Sequence, residues 1–65
     1  MREKLSVAAA RVDAGHTQRS MAKILNVCVD TYRKYEKHPE TMPIALVVAF
    51  CKAVERSPDD VIFLQ

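Results

Sequence analysis

Apolar residues recur every three or four positions along this chain, and that helical spacing is the strongest constraint on its fold. No segment shows the alternation of apolar and polar residues that is typical of a half-buried strand. The first apolar stripe consists of Leu5, Ala8, Ala9 and Val12. It predicts a helix over about residues 4–14, ended by Gly15, the only glycine.

Two short helices are expected next, joined by a turn without glycine. Thr17 is a good N-cap for a second helix over residues 18–25, because its hydroxyl can accept from a free backbone N–H. The apolar face of this helix contains Met21, Ala22 and Leu25. Asn26 is the best non-glycine residue for the left-handed position that follows. A third helix is expected over about residues 29–37.

Prolines organise the second half of the chain. Pro39 and Pro43 bracket a loop, because the residue before a proline is pushed toward extended conformations. Pro43 suits the first position of a fourth helix ending near Glu55, with Thr41 or Met42 before it. The stripe expected to face the core on this helix is Ile44, Val47, Val48, Cys51 and Val54.

The segment Ser57-Pro58-Asp59-Asp60 supplies an N-cap, a proline at the first helical position and acids in the first turn. It predicts a short fifth helix that ends near Phe63. The sequence therefore favours a compact all-α fold of five helices, with residues 1–65 in a single domain. Sixty-five residues lie close to the lower limit for a chain that folds without disulfides or metal.

Composition excludes several classes of protein. With 49% hydrophobic residues the chain is too apolar for a disordered tail. Cys28 and Cys51 have no CxxC spacing and no histidine at ligand spacing, so both are expected to be small buried hydrophobes in a reducing compartment. No secretory start and no run of 18 apolar residues is present, which favours a cytoplasmic protein. We expect no membrane, metal or cofactor.

Charge is distributed unevenly along the chain, whose net charge is +2. Residues 16–38 contain five basic residues against two acidic ones, whereas residues 39–65 contain two basic residues against four acidic ones. The central segment would therefore favour a phosphate backbone. An ordinary solvated helix face explains the charge equally well. The central basic residues are Arg19, Lys23, Arg33, Lys34 and Lys37.

Two helices joined by a short turn are the arrangement of the helix-turn-helix motif, whose second helix can lie in the major groove of DNA. The chain carries A-G-x-T-Q-x-x-x-A-x-x-L-x-V, then T-Y-x-x-Y-E, a proline at position 43, and S-P-D-D-V. This pattern, from Leu5 to Leu64, resembles the Cro/repressor-type helix-turn-helix family (lambda-repressor-like or XRE-type). The resemblance implies a five-helix DNA-binding domain.

The resemblance also implies positions that would contact DNA. Arg33 or Lys34 can donate to guanine, and Val29 can touch a thymine methyl group. Asp30 could accept from cytosine. The expected base-reading residues are Gln18, Val29, Asp30, Arg33 and Lys34. The expected phosphate contacts are Thr17, Arg19, Lys37 and Arg11.

Arg11 has two interpretations. In the resembling family an arginine of the first helix pairs with the glutamate that ends the third helix, and Arg11 and Glu36 occupy those positions. The pair could hold Arg11 beside a phosphate, or it could be a structural ion pair, which is the reading we favour.

Four departures from the family pattern lie in or after the turn. Asn26 replaces the usual glycine, and Cys28 replaces a Ser or Thr cap that contributes about 1 kcal/mol. Asp30 would place an acid near DNA, unless its side chain supplies the missing cap. The loop KHPETMP lacks the glycine and the basic residues with which related domains hold phosphate. These departures predict weaker DNA binding by the isolated protein.

The second half of the chain is also more apolar than its core requires, which predicts a partner surface. In the family that the chain resembles, helices 4 and 5 often form the dimer interface. The expected partner residues are Ala45, Leu46, Ala49, Phe63 and Leu64. Looser packing of a small core is the alternative explanation.

Two functions fit these features. The first is a phage- or prophage-type transcriptional regulator that binds a double-stranded DNA operator as a dimer. The second is an antirepressor or modulator, which would form a heteromer with a partner repressor. An enzyme is not expected, because His16 and His38 have no nucleophile at a plausible spacing.

Overall fold

The computed structural model describes residues 4–63. In this part of the chain there are four α-helices and two short β-strands, so the expectation of a mostly helical fold is confirmed. The helices are α1 (Val7–Asp13), α2 (Gln18–Leu25), α3 (Val29–Lys37) and α4 (Ile44–Val54). The strands are β1 (Leu5–Ser6) and β2 (Val61–Ile62). Two 3-10 turns, Pro39–Thr41 and Pro58–Asp60, flank α4 along the chain.

The predicted fifth helix is wrong. Pro58–Asp60 forms a single 3-10 turn, closed by a 3.0 Å hydrogen bond from the Asp60 N–H to the Ser57 carbonyl. The next two residues are β-branched and become extended as β2, which pairs in parallel with β1. Val61 lies opposite Leu5 and is only 3% exposed. The helix-start signals of this segment produce the 3-10 turn, but the chain then becomes extended and pairs with the distant β1.

The first helix is shorter than predicted for the same reason. Leu5 and Ser6 belong to β1, so α1 begins at Val7 instead of near Lys4. Ser6 is its N-cap, and the Ser6 hydroxyl accepts a 3.1 Å hydrogen bond from the Ala9 N–H. The shift also rotates the buried stripe to Val7 and Ala10. Val12, which the periodicity placed in the core, is 62% exposed.

Local stop and start signals are confirmed around α2. The Thr17 hydroxyl accepts a 3.0 Å hydrogen bond from the Ser20 N–H, which is the predicted cap. Gly15 and Asn26 both have the positive φ angles that were expected of them, 84° and 59°. Pro43 immediately precedes α4 as its N-cap residue rather than starting the helix. Thr41 does not cap α4, since its hydroxyl donates to the His38 carbonyl at 2.7 Å.

The core lies between the four helices and the strand pair. The fully buried side chains with the largest volume are Tyr32, Phe50, Met21 and Val7. On α4, Phe50, Cys51 and Val54 face this core, whereas Ile44 and Val48 are exposed, contrary to the predicted stripe. α4 is apolar on every side except at Lys52, so its sequence pattern does not indicate clearly which side faces the core.

The two cysteines are both free but lie in different environments. Cys51 is buried as predicted, while Cys28 is exposed, because the turn before α3 stands at the surface. Within residues 4–63, no helix has the length and apolarity needed to cross a membrane. The same residues contain no cluster of three or more histidine, cysteine, aspartate or glutamate side chains suited to a metal ion.

Candidate functional site

The pair α2 and α3, joined by residues 26–28, positions most of the side chains singled out above. The Val27 N–H donates to the Ala22 carbonyl at 3.0 Å, which folds the turn back against α2. Ala22 is 3% exposed, and Val27 is half-buried against the core. Ala22 is a small side chain buried beside the turn, and Val27 anchors the turn to the core. One side of α3 is consequently buried through Tyr32, while the opposite side faces outward.

The first turn of α3 lacks a side-chain cap. Cys28 occupies the N-cap position without capping, and its Sγ lies 3.1 Å from Thr31 Oγ1. Hydrogen bonding with the Thr31 side chain lowers the pKa of the Cys28 thiol. Asp30 does not supply the missing cap, because Asp30 Oδ1 accepts a 3.1 Å bond from Arg33 Nη1. Of the two roles considered for Asp30 from sequence, local capping is therefore wrong.

A nearly buried ion pair joins α1 to α3. Arg11 Nε donates to Glu36 Oε2 at 2.6 Å, and Arg11 Nη1 donates to the His16 carbonyl at 2.8 Å. The Arg11 and Glu36 side chains are only 14% and 9% exposed. Because the Arg11 guanidinium already serves two groups inside the protein, its arrangement favours the structural reading over a phosphate contact.

Glu36 is the centre of a wider polar cluster. Gln18 Nε2 donates to Glu36 Oε1 at 2.9 Å, so both carboxylate oxygens have donors. Burial acts to raise the pKa of Glu36, but the neighbouring groups of Tyr32, Arg11 and Gln18 outweigh it and lower the pKa. The Tyr32 hydroxyl lies beside this carboxylate and is buried, and no partner within residues 4–63 meets it at hydrogen-bond geometry. Burial and the adjacent carboxylate raise the pKa of Tyr32.

Gln18 extends the cluster to the surface of α3. Its Oε1 accepts a 3.2 Å hydrogen bond from Arg33 Nε, while its Nε2 is bonded to Glu36. Hydrogen bonds therefore connect the base-reading candidates Gln18, Asp30 and Arg33, an arrangement that no sequence pattern predicts. Val29 is half-buried and packs against the core, so only part of it can reach a ligand. Lys34 is exposed on the outer side of α3.

Basic side chains of α2 and α3 stand around this face. Thr17, Arg19 and Lys37 are exposed, although the Thr17 hydroxyl is occupied in capping α2. The sequence reading assigned no role to Lys23, which is also exposed. Lys23 and Arg19 line an open groove of about 690 Å³ that reaches Cys28 and Val29. The spacing of four residues between the two cations was the available signal, since it places them on one side of a helix.

The predicted partner residues divide into three groups. Ala45 is exposed, while Leu46 and Ala49 are half-buried against the core. Phe63 also packs on the core, and its ring meets Phe50 edge to face with centroids 6.2 Å apart. Leu64 lies outside the described residues. The most exposed apolar side chain of α4 is instead Ile44, at 77%, one helical turn before Val48 at 45%.

Comparisons of this chain with protein-family models, with curated proteins and with solved structures found no match.

Proposed function

We propose that this protein is a sequence-specific DNA-binding transcriptional regulator of Cro/repressor type, in which α2, the turn and α3 form a helix-turn-helix. The main support is the outward side of α3, which displays Arg33 and Lys34 while Tyr32 holds the opposite side in the core. A helix presented in this way can enter the major groove with its first turns toward the base edges.

Electrostatics favour the same partner. All five basic residues of the central segment are exposed on α2 and α3. The two acidic residues of the segment, Glu36 and Asp30, form ion pairs with Arg11 and Arg33. A phosphate backbone would release counterions on meeting such a surface, so binding should be strongly salt-dependent. The 3-10 turn after α3 adds no basic side chain, which limits the number of phosphate contacts.

Self-association would place two copies of α3 on one operator. The exposed apolar side chains Ile44, Ala45 and Val48 share one side of α4. In an antiparallel pair of α4 helices centred on Val48, helical periodicity would set the Lys52 stem of one copy over Ile44 of the other. We propose this side of α4 as the dimer contact. The same surface favours the alternative function, a modulator that binds another repressor.

The test begins with selection of DNA sequences from a random duplex library by the purified protein. Enrichment of one motif is expected, with affinity for it falling about 100-fold between 50 and 200 mM salt if about four phosphates are contacted. A library that stays random after selection would overturn the proposal. If DNA is bound or released only when a separate repressor is added, the modulator function replaces it.

A further inference from the structure

We infer that Arg33 reads a guanine in DNA and that Asp30 and Gln18 are positioning residues that orient its guanidinium. This inference rests on the proposed DNA-binding function and sharpens it, because Asp30 then makes no base contact of its own. The observation that carries it is the pair of hydrogen bonds from Arg33 to two different side chains.

The two bonds restrain different ends of one rigid group. Arg33 Nε donates to Gln18 Oε1 at 3.2 Å, and Arg33 Nη1 donates to Asp30 Oδ1 at 3.1 Å. Because the guanidinium is planar, anchoring two of its nitrogens sets the direction of the plane as well as its position. Both N–H groups of Nη2 and one of Nη1 remain without a partner among residues 4–63. These are the donors needed for a bidentate contact with guanine O6 and N7.

The Gln18 side chain is itself held in place by a hydrogen bond to the largely buried Glu36. Its Nε2 must face the Glu36 carboxylate, which is only an acceptor, and this leaves Oε1 toward Arg33. Glu36 is 9% exposed and bonded to Arg11. Arg33 is therefore connected through Gln18 and Glu36 to the contact of α1 with α3. An arginine that is held only by an ion pair at the surface would lack this connection.

Charge and exposure explain why Asp30 is better suited to positioning than to reading. A free carboxylate at the start of α3 would oppose the phosphates, whereas its ion pair with Arg33 offsets that charge. The Asp30 side chain is 83% exposed and that of Arg33 50%, so the pair contributes little to folding. Its replacement should leave the protein folded and change only the geometry and charge of the DNA-facing surface.

This arrangement predicts opposite effects on specific and non-specific binding. Asp30→Ala removes an acid near the phosphates, so affinity for random duplex DNA should rise. It also frees Arg33, so preference for guanine at one position of the selected motif should fall about tenfold. Asp30→Asn retains an acceptor oxygen and should restore part of that preference. Gln18→Ala should lower the same preference without raising non-specific binding, since no charge is lost.

The experiment measures the affinity of each variant for the selected motif, for the motif with 7-deazaguanine at each guanine in turn, and for random duplex DNA. In an Arg33→Ala background, adding Asp30→Ala should not change discrimination further. Asp13→Ala is the matched control, because Asp13 forms an exposed 2.7 Å ion pair with Arg56 and neither residue belongs to α2 or α3. Urea unfolding confirms that each variant is folded.

Three results would overturn the inference. If Asp30→Ala retains the full guanine preference, Asp30 does not position Arg33. If its effect is a lost cytosine preference that persists in the Arg33→Ala background, Asp30 reads a base directly. If the unsubstituted protein selects no motif, the proposed function fails and the inference fails with it, which distinguishes this outcome from the first two.

Discussion

Arg11 and Glu36 form an ion pair between separate helices, with Arg11 Nε 2.6 Å from Glu36 Oε2 at the contact of α1 and α3. Both side chains are largely removed from water, and both make further hydrogen bonds within the protein. A pair in this setting sets the relative position of the two helices, because each charge would be costly to leave alone. The orientation of α3, and therefore the direction in which its outer side faces, depends on this contact.

Removal of one partner should therefore be more harmful than removal of both. Glu36→Leu is expected to lower the free energy of unfolding by about 3 kcal/mol, since it leaves the Arg11 guanidinium nearly buried without its carboxylate. The double variant Arg11→Met/Glu36→Leu should recover most of that loss. Urea unfolding of the two single variants, the double variant and the parent measures the coupling. Additive losses would mean that the two charges act independently.

Stability should also depend on pH through Glu36. Its pKa is lowered by folding from an ordinary value of 4.5, so between the folded and unfolded pKa values the unfolded chain binds more protons. The stabilisation is fully present above about pH 4.5 and is lost as the pH falls through the folded pKa. Urea titrations from pH 6 to 3 should show this decline, with a shallower one in Arg11→Met/Glu36→Leu. Equal slopes in both proteins would contradict the assignment.

The buried Tyr32 hydroxyl offers a second test of this cluster. In the described part of the chain it has no partner at hydrogen-bond geometry, although it lies beside the Glu36 carboxylate. Tyr32→Phe keeps the ring and removes an unsatisfied polar atom, so the free energy of unfolding should stay level or rise by about 1 kcal/mol. Thermal and urea unfolding of the variant measure the change. A loss of more than about 1 kcal/mol would show that the hydroxyl donates a hydrogen bond in solution.

Self-association should depend on the exposed side of α4. Ile44→Asp is expected to shift the protein toward monomer without unfolding it, because Ile44 is 77% exposed. Val12→Asp is the matched control, since Val12 is 62% exposed on α1. Sedimentation equilibrium of the three proteins measures the dimer constant. Leu46→Asp would be unsuitable, because Leu46 packs against the core. Equal association of all three proteins would exclude α4 as the dimer contact.

Binding to the selected DNA should depend on Lys34. Lys34→Ala is expected to weaken it by about 1–3 kcal/mol if the ammonium contacts a base, and to reduce the salt slope by about one if it contacts a phosphate. Lys4→Ala is the control, because Lys4 is exposed before β1, outside both the basic face and the α4 dimer contact. Fluorescence anisotropy at several salt concentrations distinguishes the two contacts. An unchanged affinity would remove Lys34 from the interface.

The sequence predicted those features of the fold that depend on residues close together in the chain, such as helix caps and helix ends. Thr17 caps α2 and Asn26 ends it as expected, because each acts on backbone groups within a few residues. The strand pair was missed, since Leu5 and Val61 lie at opposite ends of the described chain and two residues carry no periodic pattern. The facing of α4 was partly wrong because a helix that is apolar all round does not reveal its buried side.

The candidate site was predicted as a set of residues but not as a network. Its cations were identifiable from charge and helical position, and the pairing of Arg11 with Glu36 followed from the family resemblance. The bond from Gln18 to Arg33 joins two helices and requires a particular packing of α2 on α3. No sequence pattern specifies that geometry, so the hydrogen bonds of Gln18 and Asp30 to Arg33 were not predicted.

The parallel pairing of β1 with β2 determines how the domain would respond to tension. A pull on the chain before Leu5 and after Ile62 would act along the two strands in opposite directions, so that the ladder is loaded in shear. In shear all the hydrogen bonds of a ladder share the force, whereas an antiparallel pair held at neighbouring ends would open one bond at a time. The strand pair therefore closes the segment of the chain that contains α1–α4, and unfolding under tension should begin when its hydrogen bonds break.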